Sequence, residues 1–155
     1  MKTRIDYRKA APDAFKALLD LEAGVHRTGL EQSLIELVKI RVSQINNCGY
    51  CLDMHSKDAR AAGEIEQRLY LLSAWREAPF YSARERAALS WAEAVTRVSS
   101  NDLPDALYAQ VREEFDEKGL VELTLAIIAI NGWNRMAIAC RVEVGSYAAP
   151  GAAKG

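Results

Sequence analysis

From Glu31 to Ile45 the apolar residues Leu34, Leu37, Val38 and Ile45 keep to one helical face, and Ile35, Ile40 and Val42 widen it. Steps of three and four residues define that face, and so broad a stripe predicts burial on more than one side. No segment alternates apolar and polar residues as a half-buried strand would. Gly, Pro and Asn mark the breaks between helical runs. The chain is therefore expected to be all-α, one domain of six or seven helices over residues 1–147. At 155 residues, half of them hydrophobic, it can bury a core of its own.

The other helices follow from the same period and from end signals. Pro12 fits the first turn of a helix reaching about Ala23. A helix starting beside Cys48 stops at Gly63, and another spans Glu64 to about Ala78, ahead of Pro79. Ser82 and Glu85 have capping-box spacing and open a fifth helix. Asp102 and Pro104 start a sixth, for which Gly119 serves as the C′ residue. The last runs from about Val121 to Val144, and its wide apolar surface predicts contact with a second subunit. Residues 1–10 read as an extended arm and 148–155 as a disordered tail.

Charge excludes some partners. Twenty basic residues against 21 acidic ones leave a net charge of −1, with no like-charged run, so neither nucleic acid nor an anionic membrane is expected. The beginning has no apolar signal-peptide core, and Glu122, Asn131, Asn134, Arg135 and Arg141 interrupt the apolar end. Three cysteines without a secretory signal point to a reducing, cytoplasmic setting. A Cys-x-x-Cys pair there is redox-active or metal-binding before it is structural.

That pair is Cys48 and Cys51, and His55 follows one turn later. Spacings of three and four put two thiols and an imidazole on one face of a helix. The thiolate is the nucleophile, and a free thiol, with a pKa of about 8.5, holds little of it at neutral pH. A helix N-terminus, a neighbouring thiol and an imidazole each lower that value. Asn46 or Asn47 would cap the helix, which places Cys48 closest to its positive end. Zinc is the metal alternative, with Cys48, Cys51, His55 and Glu36 as ligands, although no second Cys/His cluster exists and carboxylate is an uncommon structural ligand. Leu52 stands where c-type haem would need histidine, and no strand flanks the motif as in a thioredoxin fold. Two merely buried thiols are the plain alternative.

Glu36 lies between Ile35 and Leu37; it is either a solvated charge or a member of the site. Lys39, three residues on, reads as a surface lysine. His26, in a glycine-bounded connection, reads as a surface or capping histidine. Cys140, Trp75, Trp91 and Trp133 fall at apolar helical positions and read as packing.

Glu36, eleven residues, Cys48-Gly49-Tyr50-Cys51, three residues and His55 resemble the active-site signature of the AhpD-like alkylhydroperoxidases, in the carboxymuconolactone decarboxylase superfamily. Cys51–Arg60, Leu72–Glu77, Glu85–Leu89 and Ile130–Arg135 are similar to its small single-domain members as well. The resemblance implies an all-α homotrimer or homohexamer that reduces organic hydroperoxides with no cofactor and is recycled by an external thiol or dithiol. It implies that Cys51 is the peroxidatic thiol and Cys48 the resolving one, with His55 and Glu36 as a proton relay. The dipole argument alone favours Cys48 instead. Some relatives carry histidine where this chain has Tyr50, whose phenol cannot exchange protons near neutrality and is expected to donate a hydrogen bond or line the pocket. A lactone-acid decarboxylase and a thiol sensor without turnover are the alternatives; decarboxylases of the superfamily typically lack the paired thiols.

Overall fold

In the computed structural model, residues 2–149 are described, and they contain eight α-helices and no strand. In order these are α1 (Tyr7–Ala10), α2 (Pro12–His26), α3 (Gln32–Ile45), α4 (Gly49–Ala61), α5 (Glu66–Leu71), α6 (Ala83–Thr96), α7 (Asp105–Arg112) and α8 (Glu117–Cys140). The all-α expectation holds. Residues 150–155 of the expected tail lie outside the described residues.

Helix α3 is the centre of the fold, packed by α4, α6 and α8, while α2 lies along α8. Leu37, Val38 and Val42 are fully buried, as the broad apolar stripe predicted. One core joins α3 to α6 and α8 through Val38, Ala88, Ile127 and Ile130; a second joins α3 to the α5 region through Leu37, Ile40, Leu72 and Trp75. Helix α8 is long and apolar enough by length and composition to cross a membrane, with mean hydropathy 1.3, yet one side of it forms the middle of the core. Its other side leaves Val121, Leu125 and Ile128 exposed at helical spacing.

Four expectations need correction. The N-terminal arm is not wholly extended: Asp6 caps the short helix α1, and the Arg4 N–H donates to the Cys140 carbonyl, tying the arm to the end of α8. The helix expected over 64–78 stops at Leu71 and tightens into a 3₁₀ turn over Leu72–Ala74. Leu72, Trp75 and Ala78 are all buried at steps of three, which suits three residues per turn better than 3.6. Gly119 does not end α7. It sits in the first turn of α8, where its N–H donates to the Asp116 carboxylate at 2.7 Å. A Cβ there would meet that carboxylate at 3.0 Å, so the glycine serves a cap rather than a stop. Lastly, α8 ends at Cys140, where Arg141 turns left-handed.

Candidate active site

The junction between α3 and α4 places the cysteines. Asn46 ends α3 and Asn47 adopts φ 55°, a left-handed conformation that asparagine tolerates. The Cys48 N–H then returns to the Ser43 carbonyl at 3.0 Å and the Asn47 N–H to that of Gln44 at 3.3 Å. This double return is a Schellman closure. It leaves Cys48 itself, not either asparagine, as the N-cap of α4, its sulfur accepting the Cys51 N–H at 3.4 Å. Cys48 and Cys51 are joined as a disulfide with Cα atoms 5.4 Å apart.

A polar clamp fixes this junction to α8. The Asn46 side-chain amide donates to Asn131 at 3.0 Å and to Asn134 at 2.9 Å. Asn134, fully buried, donates in turn to the Ser43 hydroxyl. Two asparagines three apart in an apolar helix were the available signal for this clamp, and the sequence reading took them only as interruptions.

The structure brings Glu36 to the pair. It is 6% exposed on α3, and its Oε2 accepts the Nδ1–H of His55, 4% exposed on α4, at 2.8 Å. Burial alone would push the Glu36 carboxyl up; the hydrogen bond and charge of His55, the charge of Lys39 and a bond from Gln32 outweigh it and hold the group below its ordinary value. With Nδ1 donating to the carboxylate, Nε2 is the nitrogen that carries the lone pair whenever the ring is neutral, and this buried atom makes no hydrogen bond to the protein.

Cys51, His55 and Glu36 line one cavity of about 230 Å³, between α2, α3, α4 and α8; Cys48 does not reach it. Phe15, Leu19, Met54, Tyr50 and Trp133 form its apolar side, with Phe15 and Trp133 edge to face at 5.8 Å. Tyr50 lies on this wall. Trp75 and Trp91 are core residues, and Cys140 is a buried free thiol, as read from their spacing. Trp133 departs from that reading, because it is only partly buried and faces the cavity.

One other residue on this wall departs from its expectation. Lys39 is no surface lysine: its side chain is 1% exposed and its ammonium pairs with Glu22. Glu22 also accepts the indole N–H of Trp133 at 2.9 Å and faces His26 at 3.0 Å. Burial raises the Glu22 carboxyl, and Lys39, Trp133 and His26 together bring it below its ordinary value. A lysine inside a greasy helical segment, with a glutamate at a matching depth on the preceding helix, was the only sequence signal.

Asp58, one turn beyond His55, accepts the Tyr147 hydroxyl at 2.7 Å, and burial with that bond pushes the phenol up to about 12. Glu36, His55 and Asp58 bring one ligand atom each within 4.8 Å of one another, so these three could hold a metal ion. The zinc set weighed from the sequence differs, since it needs both sulfurs, which here are bonded to each other.

A buried cysteine pair beside a histidine–carboxylate pair on this all-α frame is the arrangement of an AhpD-like protein. Residues 12–94 match the carboxymuconolactone decarboxylase family, and the chain belongs to it. It is 47% identical over 139 residues to the uncharacterized protein YdfG of Bacillus subtilis, covering 90% of this chain and 95% of that one. Its fold is similar to that of a protein of unknown function from Agrobacterium tumefaciens, for which an AhpD antioxidant-defence role has been suggested. The TM-score is 0.90, the identity 45%, and the match covers 94% of this chain and all of the other. The debrominase Bmp8 shares the fold alone, with TM-score 0.75 and 19% identity over 89% of this chain and 74% of its own.

Proposed function

We propose that this protein is a thiol-dependent peroxidase that reduces organic hydroperoxides, with Cys51 as the attacking thiol. One observation carries the assignment: of the two cysteines, only Cys51 opens onto the cavity that holds His55 and Glu36. The dipole argument for Cys48 yields to access, because a thiolate that cannot meet the peroxide cannot react with it.

In the reduced enzyme, His55 Nε2 takes the Cys51 proton while Glu36 stabilises the imidazolium that forms. The thiolate attacks the terminal peroxide oxygen, the O–O bond breaks, and the alkoxide leaves as alcohol with a proton returned by His55. Cys51 is now a sulfenic acid. Cys48 attacks that sulfur, the S–O bond breaks, water departs with the Cys48 proton, and the disulfide forms. An external dithiol restores both thiols by exchange and is itself oxidised to a disulfide. Two thiols and one hydroperoxide thus become one disulfide, one alcohol and one water.

The apolar wall of Phe15, Leu19, Met54 and Trp133 favours a hydroperoxide with an aromatic or branched apolar body. The exposed stripe of Val121, Leu125 and Ile128 supports self-association, as the family resemblance implies. The deciding experiment titrates fully reduced protein with cumene hydroperoxide and counts free thiols. Loss of two per chain, with one alcohol released, is expected; unchanged thiols would refute the peroxidase.

A further inference from the structure

The relay does not end at Glu36. Its second oxygen, Oε1, accepts the side-chain N–H of Gln32 at 2.9 Å, one turn earlier on α3. Donation from Nε2 fixes which way the Gln32 amide faces: its carbonyl oxygen points outward and meets Nδ1 of His26 at 3.1 Å. The other ring nitrogen of His26 meets the Glu22 carboxylate at 3.0 Å. Both nitrogens of His26 therefore face acceptors. Only the doubly protonated ring, with two N–H donors, satisfies them together.

We propose that His26 and Gln32 are positioning residues for the dithiol site, a clasp that holds Glu36 against His55 while His26 is protonated and releases it when His26 is neutral. A neutral ring keeps one N–H, and the charged Glu22 carboxylate is the stronger acceptor for it. Nδ1 then turns a lone pair toward the Gln32 carbonyl. The amide must swing away, or rotate and set its oxygen against the Glu36 carboxylate. Either way Glu36 keeps His55 as its partner and loses the bond that fixed its orientation.

The position of His26 suits this role. Its side chain is 44% exposed, whereas Glu36 and His55 are buried, so of these three titratable groups it is the one that meets solvent directly. Histidine is the side chain that ordinarily changes charge between about pH 5 and 8. The titratable and charged groups on its cavity come from each neighbouring element: Glu22 on its own helix, Glu36 and Lys39 on α3, Tyr50, His55 and Asp58 on α4, and Tyr7 and Arg8 on α1, while Trp133 of α8 holds the other Glu22 oxygen. The consequence for turnover rests on the peroxidase reading; the clasp does not.

With only two histidines in the chain, side-chain ¹⁵N NMR of the full-length protein can follow both rings without overlap. On the acid side, His26 should show two protonated nitrogens. As it loses its proton, the His55 ring signals should shift in step. That coupled shift should vanish in Gln32→Met and, by loss of the ionising group, in His26→Asn. In parallel, the rate of Cys51 alkylation in reduced protein should exceed that of His26→Asn by on the order of tenfold while His26 is charged, the loss of one bond to a charged group. The two rates should converge above its ionisation. A His55 ring indifferent to His26 in the wild type, or a coupling that survives Gln32→Met, overturns the clasp. Neither readout uses hydroperoxide, so a failed peroxidase assay with intact coupling removes the activity and leaves the clasp standing.

Discussion

Glu36 and His55, on consecutive helices, are joined carboxylate to imidazole at 2.8 Å, and the far nitrogen of the ring is buried without a protein partner, placed to act as the base when the ring is neutral. Cys51 is one turn from that base and shares its cavity. Removing the base should slow the first step most. His55→Ala is expected to lower the second-order rate of thiol oxidation by about 10²–10⁴, the usual worth of a positioned general base. Glu36→Gln, which keeps an acceptor and loses the charge, should fall less far. Stopped-flow oxidation of the reduced variants by cumene hydroperoxide checks both.

The two cysteines should fail in different ways. Cys51→Ser should consume no hydroperoxide. Cys48→Ser should consume one equivalent and stop as the Cys51 sulfenic acid, which dimedone traps for mass spectrometry. A dimedone adduct on Cys48 in the Cys51→Ser protein would reverse the assignment.

Phe15 should govern substrate preference. Its ring stands edge to face with Trp133 on the cavity wall. Phe15→Ala is expected to raise KM for cumene hydroperoxide roughly fivefold, an aromatic contact of about 1 kcal/mol. For hydrogen peroxide, which has no apolar body, KM should stay as it was.

Lys39 and Glu22 form a buried ion pair, so breaking one side should cost more than removing both. Glu22→Gln leaves the Lys39 ammonium inside with no ion-pair partner and only the charge of Glu36 to offset its own, and should destabilise the fold by about 3 kcal/mol. Adding Lys39→Met should recover much of that loss, as read from urea unfolding.

Acid should weaken the fold through the same interior. Glu22, Glu36 and Glu93 are each raised by burial and brought lower still by their partners, so all lie below the ordinary 4.5. For Glu93 the partners are Trp75, Arg76 and Arg41. The unfolded chain therefore binds protons first as the pH falls. Stability from these groups is complete above about 4.5 and drains away below it, as the pH drops through the lowered folded-state values. Urea midpoints measured between about pH 3 and 7 should be flat at the upper end and decline at the lower.

Much of this was legible in the residues. The apolar period of α3 announced its burial, Ser82 and Glu85 do form the capping box, and the four-residue step from Cys51 to His55 puts both on the cavity, whereas Cys48, expected on the same face, caps α4 and stays off it. Glu36 became interpretable only beside the family signature, because a helical period tells which residues share a face and not which charge the neighbouring helix brings. Lys39 shows the same limit: its burial depends on Glu22, 17 positions earlier. Gly119 was misread for another reason. Glycine serves helix ends of both kinds, and only the Asp116 carboxylate decides which end this is.

In the proposed cycle the sulfur that caps α4 is also a reactant. In every cycle the same atom would pass from disulfide to thiol and back, so the active helix begins on a foundation that changes chemically as it works. The asparagine clamp from Asn46 to Asn131 and Asn134 contains no atom that takes part in that exchange. It moors the helix junction to α8 through bonds that the exchange neither makes nor breaks. The cysteines can thus be spent and renewed while the scaffold that aims them keeps its place.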